Sequence, residues 1–356
     1  MARVPNLDLA TPLSEVGERR LIDEVLRPRY AANSDNFGDD CVSVGGFGRG
    51  TEAVVATIDP CPLPAARALG FTDPYYHGWL ATTITLSDLA AAGARPVALL
   101  SSLILPLDLT VGKFIRLLDG LDDCARRDGT YFVGGNLREG RTVEMTTVGL
   151  GSTDGGHPLS RRGCTPGDRL LAVGALGVFW AEFLKYRRHR EGNPDAVLRP
   201  VAQIGAGQVL RASGIVRSCI DNSDGLIASA RALASLNDVA VELDLDEVEW
   251  APIVREVADQ EDIDPLRLGL GWGDWSLVCC CGARDYSTLR ALLDEREIWS
   301  APVGVVRTGS GVTLKHRDQV ASVTNAIDSE RLVSQSFFVQ GIEAYVDRLL
   351  NHQLWV

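Results

Sequence analysis

Five short acid- or amide-bearing stations interrupt or close the apolar stretches of this chain: FGDDC with Asp39 and Asp40, ATIDP with Asp59, TLSDLAAAGA with Asp88, FVGGNLREG with Asn136, and IDNSDGL with Asp221 and Asp224. A carboxylate at the end of a hydrophobic run is costly to desolvate unless a positive charge meets it. Taken singly, each acid also reads as a helix cap, a turn former or a solvated loop residue. Several in one chain call for shared hard cations with oxygen ligands, and magnesium with a nucleotide phosphate is the obvious candidate.

At 356 residues the chain is long for one small core, which predicts two domains. A formal charge of −12 argues against nucleic acid as a partner, because that needs a basic face to displace counterions. A polyphosphate ligand then needs metal ions to bridge it. Eight cysteines are present, none in a CxxC pair and with no secretory signal ahead of them, so a reduced cytoplasm is expected. The run Cys279-Cys280-Cys281 continues an apolar stretch; three adjacent strand residues alternate faces and cannot clasp one metal, so it reads as a buried strand. The longest apolar stretch, Val97 to Leu107, falls far short of the ~20 residues that span a bilayer, so no membrane partner is expected.

Residues 14–30 place Leu21, Ile22, Val25 and Leu26 on one face of an amphipathic helix that Pro28 should stop. Strands are expected at 53–58, 98–105, 131–133 and 143–150, with helices at 78–94 and 110–128 between them. At Pro166-Gly167-Asp168 the pattern restarts, with strands at 169–173, 239–245 and 276–281 and helices at 223–236, capped by Ser223 or Asp224, and 286–294. The basic run 184–193 reads as a solvated helix end or a phosphate contact. The stretch 334–356 reads as a terminal helix with Trp355 packing down.

The common nucleotide, zinc and hydrolase signatures are absent: no GxxxxGK[ST], no GxGxxG between strand and helix, no HExxH, no GxSxG. The pair Gly134-Gly135 follows an expected strand and precedes Asn136, so its amides could approach a phosphate, although a tight turn is the alternative. The order of the stations is more specific. GDD, then TxD, SDLAAAGARP, VGGN, PLSRRGCTPGD, DNSDGL and GxGDW resemble, over residues 14 to 310, the thiamine-monophosphate kinase family within the aminoimidazole ribotide synthetase-like (PurM-like) ATP enzymes.

That resemblance implies a two-domain α/β (α+β) fold. Residues 1–158 would bind ATP and magnesium and dimerise through a β-barrel interface, 159–330 would form a C-terminal α/β domain, and 331–356 the terminal helix. It also implies a homodimer. It assigns magnesium to Asp39, Asp40, Thr57, Asp59, Asp88, Asp221 and Asp224, with Asp40, Asp88 and Asp221 at the centre of catalysis. ATP contacts fall to Gly134, Gly135, Asn136, Arg161 and Ser223. Several metals on a triphosphate would neutralise developing charge and hold donor and acceptor in line.

The chain departs from the family mainly on the acceptor side. Asn136 replaces an Asp, and Ile58 replaces the second Thr of TTD. The E-G-x-H-F stretch after TTD is replaced by PCPLPAARALGFTDPYYHG, leaving His77 as the only nearby histidine, a substrate contact or a core residue. GGEDYEL becomes GLGWGDWSL, which puts Gly273 for Glu and surrounds it with Trp272, Asp274 and Trp275, an acceptor wall or the start of a core strand. The expected function is an ATP- and magnesium-dependent kinase for a small molecule other than thiamine monophosphate. The alternatives are a synthetase that activates an amide or carbonyl oxygen, a true thiamine-monophosphate kinase, and a non-catalytic nucleotide-binding subunit.

Overall fold

Alternating burial along residues 54–57 and 144–151, and unbroken burial along 277–281, divide the chain into a sheet with one covered face and a sheet covered on both. The computed structural model describes residues 11, 13–16, 18–30, 38–44, 54–190, 192–316, 319–323, 331–332 and 336–351. Trp355 lies outside them. The first sheet contains β1 (Val42–Val44), β2 (Val54–Cys61), β3 (Arg95–Pro106), β4 (Phe132–Gly140) and β5 (Glu144–Ser152) in the order β1-β2-β5-β3-β4. Only β3 and β4 run parallel. The second contains β6 (Arg169–Val173), β7 (Val216–Asp221), β8 (Ala240–Asp244), β9 (Leu277–Cys281), β10 (Ser300–Arg307), β11 (Gly311–His316) and β12 (Gln319–Ser322) in the order β12-β11-β8-β10-β6-β9-β7. Both sheets are mixed, and the first is open: no closed barrel forms within the described residues of the single chain.

Numbering only the longer helices, α1 is Pro74–Ala91, α2 Val111–Arg127, α3 Val178–His189, α4 Ile204–Ser213, α5 Leu226–Asn237, α6 Pro252–Glu261, α7 Tyr286–Asp294 and α8 Ile342–Asn351. The parallel pair β3 and β4 needs a crossover, and α2 supplies it. Helix α1 is buried almost all round, which its mixed sequence of Thr, Ser and apolar residues does not advertise. Its hydroxyls bond inward: Thr82 Oγ1 donates to the Leu121 carbonyl (3.1 Å) and Thr83 Oγ1 to Pro200 (2.9 Å). Two glycines let α1 and α2 touch backbone to backbone. A Cβ on Gly78 would lie 2.0 Å from the Leu117 carbonyl oxygen, and one on Gly120 1.9 Å from that of Tyr75.

The buried cores do not respect the division into sheets. One cluster joins Trp79, Leu86 and Leu89 of α1 to Leu210 of α4 and to Cys279 and Cys281 of β9. Cys280, between them, faces the other cluster with Trp180 and Phe183 of α3. The cysteine run is therefore a buried strand with alternating faces. The helix expected over 14–30 is a series of short helical runs through Tyr30, with a π-helical stretch at Ile22–Leu26, and Pro28 does not end it. Helix α5 starts after Gly225, later than the Ser223 or Asp224 cap expected. The basic run at the end of α3 forms ion pairs with Glu256, Glu261 and Glu343, as a solvated helix end does.

Candidate functional site

Three elements end at one point. On β2 the pleat sets Thr57 and Asp59 on the side facing α1; the last turns of α1 carry Ser87 and Asp88; β7 ends at Asp221. Asp40, beside β1, completes the group. Oxygen atoms of Asp40, Asp88 and Asp221 lie within 4.8 Å of one another. Thr57 Oγ1 donates to Asp88 Oδ2, and Ser87 Oγ donates to Asp221 Oδ2 at 3.1 Å. Asp59 stands next to them, 3.5 Å from Thr57 Oγ1.

One cation is built in. Arg161 donates through Nε to Asp40 Oδ2 (3.0 Å) and through a terminal nitrogen to Oδ1 (2.5 Å), a bidentate pair. The Ser160 hydroxyl and the Arg161 amide both donate to Asp39 Oδ1 at 3.0 Å, so Asp39 anchors this loop. The remaining acids are crowded. Burial pushes Asp88 well above the usual carboxylate range, followed by the charges of Asp59, Asp221 and Asp40 and a hydrogen bond to Asp59 that only a protonated acid makes. Burial raises Asp221 likewise, with Asp40 adding to it and Arg161 opposing it. At 4.8 Å two unit charges repel by roughly 3 kcal/mol at an effective dielectric of about 20. An all-oxygen set short of positive charge, with room beside it, fits a hard divalent cation.

The acids open on a cleft of about 600 Å³ that Ser223, Asp224 and Arg331 also line. Arg331 lies 3.8 Å from Asp224. A narrower pocket continues from Asp59, Asp88 and Asp221 to Leu63, Phe179, Trp272 and Trp275. Ser87, Ser160 and Arg331 were not singled out from the sequence. Ser87 stands inside the TLSDLAAAGA station and was legible there, whereas Arg331 comes from the far end of the chain and carries no local signal.

Other expected residues sit elsewhere. Gly134, Gly135 and Asn136 form no loop; they lie within β4, the edge strand. Register places Asp59, Thr147, Ser101 and Gly135 in one row across the sheet, and Asn136 in the next row, on the opposite face. Gly135 is required because a Cβ there would lie 1.9 Å from the Ser101 carbonyl oxygen, a close approach of strand to strand. Asp274 turns away from the clefts: its carboxylate accepts from the amides of Gly177 (2.6 Å) and Phe179 (2.9 Å) at the start of α3. Burial nevertheless raises it to about 7 against those bonds. Trp272 both lines the narrower pocket and packs on Phe179, Trp180 and Tyr345, with ring centroids 5.2, 4.9 and 5.6 Å away. His77 does not reach the acids; it lines a separate cavity behind Leu63.

Known proteins carry the same organisation. Residues 38–152 match the profile of AIR synthase related protein, N-terminal domain, and residues 165–317 that of the corresponding C-terminal domain. Thiamine-monophosphate kinase of Methanopyrus kandleri is 28% identical over 248 residues, covering 69% of this chain and 76% of its own. The Corynebacterium glutamicum protein of the same name is 27% identical over 301 residues, covering 81% and 85%. A solved structure described as AaThiL complexed with AMPPCP and TMP superposes with a TM-score of 0.73 at 24% identity, over 88% of this chain and 99% of that one. No helix among the described residues is long and apolar enough to cross a membrane. Two matched domains in family order, meeting at the carboxylates of Asp40, Asp88 and Asp221, make the chain a thiamine-monophosphate kinase-like member of the AIR synthase related family.

Proposed function

We propose that the chain transfers a phosphoryl group from ATP, with magnesium, to a small-molecule acceptor other than thiamine monophosphate. The observation that carries the kinase reading is the convergence of Asp40, Asp88 and Asp221 within 4.8 Å beside a bidentate arginine, at the seam of the two sheets. Bound magnesium would neutralise the phosphates and the charge that develops between them. Asp88 and Asp221 would hold it in their ionised form, Asp59 and Thr57 from the sheet side. Arg161 holds and aims Asp40 through its bidentate pair, and Asp39 ties the Arg161 loop down through Ser160. Positioning and charge complementarity, rather than acid–base chemistry, supply the acceleration in such a site.

A changed acceptor is supported by the walls of the narrower pocket. Leu63 belongs to the rewritten segment after Asp59, and Trp272 and Trp275 to the rewritten turn before β9. These are broad apolar surfaces suited to a planar or apolar group. Thiamine monophosphate itself is the second reading, favoured by the shared name of the relatives. A homodimer through the first sheet is part of the proposal. The face of that sheet opposite α1 leaves Ile58 64% exposed, and Val97 and Val133, at the breaks in strand register, are exposed as well.

The test is ATP turnover with product analysis, with and without magnesium, on thiamine monophosphate and a panel of small metabolites, with Asp88→Asn as control. ADP and a phosphorylated metabolite, both lost in the variant, support the proposal; phosphorylation of thiamine monophosphate above all others replaces its acceptor. Free phosphate with a condensed product moves the reaction to synthetase chemistry. No turnover with any compound overturns the kinase reading.

A further inference from the structure

The cleft of the acids and the narrower pocket share one wall: Asp59, Asp88, Asp221, Ser223 and Asp224 line both. In the proposed reaction the cleft takes the nucleotide and the pocket the acceptor, so the phosphoryl group crosses that wall. A single cation stands on it. Of the arginines lining either space among the described residues, Arg331 alone lines both.

Arg161, the cation paired to the acids, lines only the cleft, and its fork is committed. Nε and one terminal nitrogen hold the two oxygens of Asp40, and the other terminal nitrogen donates to the Gly38 carbonyl at 3.3 Å. Turning that guanidinium to a phosphate would break a bidentate pair with a buried carboxylate.

Arg331 is set in place by its own backbone. Its carbonyl accepts from the Glu18 amide at 3.1 Å, which ties it to the helical run that borders the cleft. The side chain is half-buried, and a terminal nitrogen lies 3.8 Å from Asp224 Oδ1. Burial works against its charge, yet the charges of Asp224, Glu18, Asp59 and Asp221 outweigh burial and hold the proton more firmly. The guanidinium therefore faces the same acids as the cleft does, from the side of the tail. Once Asp59 and Asp221 hold magnesium, their charge is met, and the complement left for a planar fork of donors is a pair of phosphate oxygens.

We propose that Arg331 is a catalytic residue of this chain: its guanidinium meets the terminal phosphoryl group of ATP where the cleft opens into the narrower pocket, and stabilises the charge spread over that group as it moves to the acceptor. The proposal rests on the kinase reading.

Calorimetric titration of the full chain in magnesium with AMPPCP and with ADP tests it without need of the acceptor. Arg331→Gln should weaken AMPPCP about tenfold or more, and ADP, which lacks the terminal group, less than about twofold. Arg331→Lys, which keeps the charge without the fork, should recover part of the loss. The metal-free Tm of Arg331→Gln should stay within about 2 °C of wild type. Equal weakening of both nucleotides, with a lowered metal-free Tm, makes Arg331 a structural prop and overturns the proposal. Unchanged affinity for both also overturns it, and tighter binding of both does so by showing that Arg331 competes with magnesium for the acids. In these three outcomes wild type still binds nucleotide, so the kinase reading stands. Wild type that binds neither nucleotide overturns that reading and this proposal together.

Discussion

Replacing Asp88 by Asn separates a metal ligand from a structural acid. In the metal-free protein burial, followed by the charges of Asp59, Asp221 and Asp40, raises Asp88 well above the carboxylate range and so favours its uncharged form. Asparagine is nearly isosteric with that form and still accepts from Thr57 through its oxygen. Were Asp88 charged instead, removing it would relieve a repulsion of roughly 3 kcal/mol per neighbouring carboxylate at 4.8 Å. Either way the metal-free variant should lie within about 1 kcal/mol of wild type, or above it. With magnesium the two should part. At about a hundredfold excess over the dissociation constant, binding adds about 2.7 kcal/mol to the native state. For a chain of this size that is a rise in Tm of about 4 °C, present in wild type and largely absent in the variant. Differential scanning calorimetry with and without magnesium reads both quantities. A metal-free loss above about 3 kcal/mol would show that Asp88 is a structural bond. Equal magnesium shifts in both proteins would remove it from the ligand set.

Three further outcomes are expected. Gly120→Ala, whose Cβ would lie 1.9 Å from the Tyr75 carbonyl oxygen, should cost at least about 2 kcal/mol in denaturant unfolding despite the better helix propensity of Ala; an unchanged midpoint would mean that α1 and α2 separate freely. Asp274 has a folded-state value of about 7, above its ordinary value, so its contribution is full below about pH 4 and is lost as pH rises through 7. Relative to Asp274→Asn, wild type should therefore lose up to about 2 kcal/mol between pH 5 and pH 7, and a flat difference would contradict that. Trp272→Ala should lower stability by about 3–5 kcal/mol, because the ring packs against Phe179, Trp180 and Tyr345, while Trp272→Phe retains most of it; thermal unfolding of the pair decides.

Much of the architecture was legible because it is written locally. Arg169–Val173 and Tyr286–Asp294 occupy the residues expected, and strands and helices alternate in the order read from periodicity. Asp59, Asp88 and Asp221 stood out because an acid within or closing an apolar run is expensive, and the fold brings all three to one place. What stayed hidden depends on partners distant in sequence. Asp274 looks like Asp221 on paper, yet one accepts from the amides that open α3 while the other faces carboxylates. Gly135 reads as a phosphate loop until the Ser101 carbonyl is placed against it in β3. Arg331 enters the cleft from the tail, and only the folded chain can put it there.

Helix α1 belongs to both halves of the molecule at once. Its Trp79 indole donates to the Pro200 carbonyl at 2.8 Å, Ser87 holds Asp221, and its apolar residues share a core with β9. The two sheets are thus separate in topology and joined in thermodynamics. A cut anywhere between β5 and β6 would leave the halves associated as a complex of fragments. Neither half made alone would retain a closed interior, because each would lack a wall that the other supplies.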